Sequence, residues 1–198
     1  MNRVVGLVAA GALGAVLLTP SGPAHAAVPD SAFPSVGQVA KVYPAFAGGT
    51  RQTAPESTLF LTNTRCITSS MLAAKSGSVA MYSHTEQTPQ TPTVWVVNFA
   101  TKKKAQQAVT LSRKFARACA DFDGGEVAMK VAKMSTPKLG DDRFAYRRST
   151  ISGGSTTRDA QLIVRKGRKV VVLNLYSTSK INATKFLALG KVAYKRAT

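Results

Sequence analysis

The stretch AQLIVRKGRKVVVLNLY, residues 160–176, decides the fold of this chain. Two apolar, largely β-branched runs, Ala160–Val164 and Val170–Tyr176, flank Lys166-Gly167-Arg168. Apolar runs of strand length on either side of a short glycine turn predict a β-hairpin, and a hairpin means antiparallel pairing. Working upstream, Phe144 and Tyr146 alternate with Ala145 and Arg147, and Gly153-Gly154 makes a loop tip before the hairpin. Val127, Met129 and Val131 mark another strand within Glu126–Met134, and the turn from Pro137 to Asp142 separates the two.

The stretch from Thr93 to Ala100, TVWVVNFA, is rich in β-branched and aromatic residues, as a central buried strand requires. Val79 and Met81 share one face of Ser78–Ser83, so this run and Thr93–Ala100 form a second hairpin around the polar loop from His84 to Pro92. Ser69–Ala74 reads as a helical turn.

Thr101–Ala120 is the clearest helix. Ala108, Leu111, Phe115 and Cys119 fall on one face, and Lys102, Lys103, Lys104, Arg113, Lys114 and Arg117 lie opposite. Lysines in the first turn oppose the helix dipole, at a cost of roughly a few tenths of a kcal/mol each. Asp123-Gly124-Gly125 ends this element. A second amphipathic helix opens at Ser179 or Lys180 and runs to about Tyr194, with Ile181, Phe186, Leu189 and Val192 as its core contacts.

The predicted class is α+β: a twisted, mostly antiparallel sheet of about six strands with two amphipathic helices packed on it, both on the same side or at its ends.

The N-terminus states where the protein works. Arg3 gives a basic start, Val4–Leu18 is uncharged and apolar, and Ala24-His25-Ala26 has the small-x-small pattern of a cleavage site. Residues 1–26 therefore read as a secretory signal, cut between Ala26 and Ala27. An apolar run of about 15 residues falls short of the roughly 20 needed for a membrane span. Residues 27–57, with four prolines (Pro29, Pro34, Pro44 and Pro55), read as a Pro/Gly-rich extended arm, part of which packs on the domain. After cleavage the chain is expected to have no transmembrane segment and to be secreted, in the medium or associated with the cell envelope.

Two cysteines, Cys66 and Cys119, in an exported chain favour one disulfide, the alternative being two buried thiols. Closing a loop of roughly 50 residues stabilises by about 4 kcal/mol in the chain-entropy model.

The charge is extreme: 27 Lys plus Arg against 9 Asp plus Glu, a net charge of +18. Such a surface attracts polyanions, which outside a cell include wall polymers, phospholipid head groups and polysaccharides. The candidate anion-binding residues are Lys102, Lys103, Lys104, Arg113, Lys114 and Arg117 on the first helix, Arg147 and Arg148 on a strand, and Arg165, Lys166, Arg168 and Lys169 at the hairpin tip. Exposed aromatics near these runs are few, Tyr146 and Tyr194 at most, which argues against specific nucleic-acid readout.

Catalytic and metal patterns are absent. His84 is the only histidine after the signal, and no G-x-S-x-G elbow accompanies it. A hydrolase using His84 with a serine is the minor alternative. Asp121-Phe122-Asp123-Gly124 starts like a calcium loop but lacks the later ligands, and no zinc spacing exists. Neither a cofactor nor a metal is expected. Asp141 is expected to pair with Arg143, Arg147 or Arg148.

Several features taken together resemble the extracellular sensor domain of mycobacterial PknH-type serine/threonine kinases, a module also found in exported actinobacterial proteins without a kinase. They are Cys66 ahead of a hairpin, the strand Thr93–Phe99, the helix ending at Cys119, Leu139-Gly140-Asp141 before a strand, and the run Arg158–Leu173 with its R-x-G. The resemblance spans about Leu59–Val192 and implies a sensor or ligand-binding domain over residues 58–198, with a cleft beside a twisted sheet. The kinase sensor carries two disulfides where this chain has cysteines for one. No kinase signature is present, so a signalling role requires a partner. The function expected is that of a non-enzymatic, sensor-like binding protein for an extracellular or envelope ligand of anionic character. The alternative is a generic polyanion-binding, adhesion or antimicrobial basic protein.

Overall fold

The computed structural model describes residues 27–84 and 89–198. The expected signal, residues 1–26, lies outside the described residues. Among them, an eight-stranded antiparallel sheet forms the scaffold, in the order β1-β4-β5-β10-β9-β8-β7-β6. The strands are β1 (Thr50–Pro55), β4 (Ser76–Ser83), β5 (Gln90–Asn98), β6 (Asp121–Asp123), β7 (Val127–Lys133), β8 (Asp142–Ser152), β9 (Ser155–Lys166) and β10 (Lys169–Ser177). A separate two-stranded ribbon joins β2 (Thr58–Thr62) to β3 (Ser69–Ala73).

The 160–176 hairpin forms as expected. Lys166 pairs with Lys169 across the turn, and Gly167 takes φ +61°, a conformation costly to a residue with a Cβ. β10 lies between β5 and β9, and Val170, Val171, Val172 and Leu173 are all buried. A continuous apolar run is what a strand covered on both faces requires. Strand alternation sends Val171, Leu173 and Leu175 to one face, and Val170 and Val172 to the other.

That two-sided burial sets the layers. On the first face, α3 (Ala183–Ala197) packs Phe186, Leu189 and Ala193, alongside α1 (Val36–Val42) with Val39. On the second face, α2 (Lys102–Ala118) packs Ala105, Ala108, Val109 and Phe115, and the ribbon adds Leu59 and Leu61. Fully burying one such Leu or Phe stabilises by about 1.5–3 kcal/mol. The two long helices therefore lie on opposite faces, not on the same side or at the sheet's ends as expected. An amphipathic helix reveals that it has an apolar face, but not which side of the sheet receives it.

The strand count also exceeds the six expected. β1 reads TRQTAP and lies at the sheet edge, where no apolar alternation is needed. β6 has three residues and follows α2 directly, where a helix-ending turn was expected. Ser69–Ala73 is a strand and not a helical turn, because its backbone pairs with β2 from Thr58↔Ala73 to Thr62↔Ser69.

The stretch read as an extended arm contributes α1, β1 and the buried side chains Phe33, Tyr43 and Phe46. Ser35 and Gln38 form a reciprocal capping box that starts α1. The last helix begins at Ala183, later than expected. Asn182 caps it by accepting from the Lys185 backbone N–H at 3.1 Å.

Cys66 and Cys119 form the disulfide, with a Cα–Cα distance of 5.6 Å. It ties the ribbon loop to the end of α2. Cys66 sits at φ +70°, held by its N–H to Asn63 O and by Asn63 Oδ1 accepting from the Arg65 N–H and the Thr68 hydroxyl.

Candidate functional site

Strand alternation builds a basic groove on the first face of the sheet. In β7, Met129 and Val131 point into the second-face core, so Lys130 and Ala132 point the other way. In β8, Phe144 and Tyr146 belong to the second face and Ala145 to the first, which puts Arg147 and Ser149 on the groove side. In β9, Ala160 points to the first face, and Arg158 with it. Lys180 and Ile181, just before α3, close the groove. Its volume is about 410 Å³, and Ala132 and Ile181 supply apolar wall.

The adjacent arginines Arg147 and Arg148 have opposite fates. Arg148 points to the second face and pairs with Asp159, its direct partner across β8–β9, at 2.6 Å. Burial pushes the Asp159 carboxyl above the ordinary aspartate range, and the Arg148 charge and hydrogen bond act against that shift. Arg158 donates to the Thr178 carbonyl, which orients its guanidinium. Among the described residues, Lys130, Arg147 and Lys180 have no carboxylate within ion-pair distance. The groove thus gathers cations that no carboxylate contacts, although Asp121 lies opposite Lys130 in the β6–β7 register on the same face, at the groove's outer end.

The other sequence candidates are distributed elsewhere. Lys102, Lys103, Lys104, Lys114 and Arg117 are exposed on α2, across the sheet from the groove. Arg113 makes a two-pronged pair with Asp142 and also donates to the Arg143 carbonyl. Partial burial disfavours the Asp142 charge, but hydrogen bonds from Arg113 and Gln106, with the Arg113 charge, hold its carboxyl below the usual range.

Arg165 pairs with Asp141 at 3.1 Å, and the same carboxylate oxygen accepts from the Gly167 N–H at 2.7 Å. This corrects the expectation that Asp141 meets Arg143, Arg147 or Arg148. It also explains the L-G-D and R-x-G cadence: Asp141 clamps the hairpin turn, and Gly140 lets the backbones meet. Lys166 and Arg168 are exposed at that turn, and Lys169 Nζ donates to the Ala197 carbonyl.

Of the twelve candidates, only Arg147 and Arg148 line the groove, and Arg148 is already engaged by Asp159. Lys130, Arg158 and Lys180 were missed as site residues. For Lys130 and Arg158 the signal is strand alternation beside buried neighbours, which places each on a face; Lys180 lies in the loop before α3 and has no such signal. Tyr146 is buried and unavailable for base stacking. His84 sits after β4, at the sheet edge remote from the groove, with its ring edge-on to Phe46 at 5.2 Å. Among the described residues, no three His, Cys, Asp or Glu side chains gather as a metal site. Nor is any helix long and apolar enough to cross a membrane.

An α+β domain with a two-sided antiparallel sheet and an open basic groove is the class of structure these features define. No family model matches the chain, and no curated protein matches it. Solved structures do. The extracellular domain of PknH from Mycobacterium tuberculosis aligns with a TM-score of 0.57 at 13% identity, over 87% of this chain and 96% of that one. A putative uncharacterized protein (Rv0999 ortholog) from Mycobacterium smegmatis aligns with a TM-score of 0.52 at 11% identity, over 82% of this chain and 96% of that one. The chain has the fold of the PknH extracellular domain, as the resemblance implied.

Proposed function

We propose that this chain is an exported, non-catalytic, sensor-type binding domain that takes an anionic ligand in the groove of Lys130, Arg147, Arg158 and Lys180. One observation carries this reading: Asp159, an acidic residue in the groove lining, turns its carboxylate to the opposite face, where Arg148 holds it, leaving four cations around a concave surface. Anions are attracted to such a cluster, and low-dielectric walls strengthen the attraction. Ala132 and Ile181 favour a ligand with an apolar or sugar body beside its charge. The disulfide and the fold shared with an extracellular domain support work outside the cytoplasm.

The test is calorimetric titration with anionic wall-polymer fragments and phosphorylated sugars, neutral sugars serving as controls, at two salt concentrations. Selective, salt-sensitive binding that Arg147→Ala with Arg158→Ala weakens about 25-fold is the expected result. Equal binding to every anion, unchanged in that variant, would replace the groove with generic polyanion attraction.

A further inference from the structure

The outer surface of the second face carries a different feature. The ribbon buries Leu59 and Leu61 against α2, so the alternate residues face solvent. Phe60 and Met71, directly paired across β2–β3, are 53% and 70% exposed. Ile67, next to Cys66 in the connecting loop, is 66% exposed. Leaving large apolar groups in water is unfavourable, and a contiguous exposed patch marks a contact surface. The disulfide and the buried leucines hold these side chains on a firm support.

Cations dominate the charge around them, the nearest acid in sequence being Glu56 at the base of the ribbon, which accepts from the Thr58 N–H. Neither the ribbon segment 57–75 nor α2 contains an Asp or Glu. Arg65 projects beside Ile67, and Lys114 and Arg117 are exposed on α2 near its disulfide end. A protein partner is normally read by charges of both signs set in register. A surface dominated by cations around an apolar tip matches a continuous anionic plane. Apolar side chains enter the headgroup boundary there, and lysines and arginines meet the lipid charge.

We infer that the ribbon and α2 form a membrane-docking face for an anionic lipid bilayer, seating the domain by Phe60, Ile67 and Met71. This site is independent of the groove, which opens on the opposite face and remains accessible when the ribbon is docked.

The experiment is co-sedimentation of the exported protein with phosphatidylglycerol-containing vesicles and with pure phosphatidylcholine vesicles. Binding to the first only, weakening with salt, is expected. Phe60→Ser with Met71→Ser, and separately Lys114→Glu with Arg117→Glu, should each lower the partition coefficient about tenfold. Arg147→Ala with Arg158→Ala should bind as the parent does. Ile67→Trp adds a second readout that needs no loss of binding: its added emission should be quenched by brominated lipid, beyond any quenching of Trp95 in the parent.

Equal binding to both vesicle types would overturn the inference, as would undiminished binding in both double variants or an unquenched Trp at position 67. So would a self-associated protein that Phe60→Ser with Met71→Ser turns monomeric, which would make the patch a contact between copies.

Discussion

Arg148 and Asp159 face each other across the β8–β9 register, Nε to Oδ2 at 2.6 Å, with the Arg148 guanidinium 5.9 Å from the centre of the Phe115 ring on α2. The pair lies beneath α2, while their neighbours Arg147 and Arg158 emerge on the other side of the sheet. One residue of strand phase therefore separates a structural arginine from a groove arginine. The acid within the groove lining, Asp159, points away from it, which leaves Arg147 and Arg158 uncompensated there.

Removing one member of this pair strands the other. Arg148→Met leaves the half-buried Asp159 carboxyl without its cation and should destabilise by about 1–3 kcal/mol. Arg148→Met with Asp159→Asn should recover most of that loss, since a buried ion pair is near break-even against a neutral pair. Urea denaturation of both variants measures the coupling, and an Arg148→Met protein as stable as the parent would refute it.

In the groove, each cation contributes separately. Arg147→Ala and Arg158→Ala should each weaken binding of the selected anion about fivefold, roughly 1 kcal/mol, without lowering the melting temperature. Arg148→Lys should leave affinity unchanged, because Arg148 points to the opposite face. Titration of the three variants distinguishes groove from bulk charge.

Asp142 makes stability depend on acidity. Its carboxyl titrates below the ordinary 3.8 in the folded chain. The unfolded chain therefore takes up the proton first. The contribution of Asp142 is fully present above the unfolded value and is lost as pH falls through 3.8 toward the folded one. Melts of the parent and Asp142→Asn should differ by a constant amount above pH ~5, a gap that closes in stronger acid. A gap independent of pH would remove Asp142 from the acid response.

The disulfide closes a loop across a sequence separation of 53. Cys66→Ser with Cys119→Ser should lower stability by about 4 kcal/mol in the chain-entropy model. Hydrogen exchange should rise most in the ribbon, 58–73, because the disulfide ties its loop to α2. Denaturant midpoints and exchange mass spectrometry check both effects.

Gly140 and Asp141 set the β9–β10 turn. Gly140 has φ +59°, and a Cβ there would lie 2.3 Å from the Arg165 carbonyl oxygen. Gly140→Ala should cost about 2–4 kcal/mol from backbone conformation and crowding together. Asp141→Ala removes the acceptor of the Gly167 N–H and should cost about 1–2 kcal/mol. A Gly140→Ala protein that melts with the parent would contradict the close approach.

Local patterns were legible in the sequence wherever one segment's own chemistry was enough. Val170–Leu173 spelled out a strand buried on both faces, Gly167 its turn, Phe115 and Ala108 the inner face of α2, and two cysteines one bridge. The polar edge strand β1 and the ribbon strand β3 escaped, because backbone pairing with a distant segment forms them without apolar alternation.

What only the tertiary structure decided is which charges meet. The sequence by itself determined an α+β chain, rich in cations and held by a disulfide. Lys130, Arg147, Arg158 and Lys180 come from three strands and a loop, and their convergence depends on strand order and register. Long-range register is set by packing over the whole sheet. A shift of one residue in β8 would turn Arg148 to the groove side and Arg147 beneath α2, breaking the Arg148–Asp159 pair.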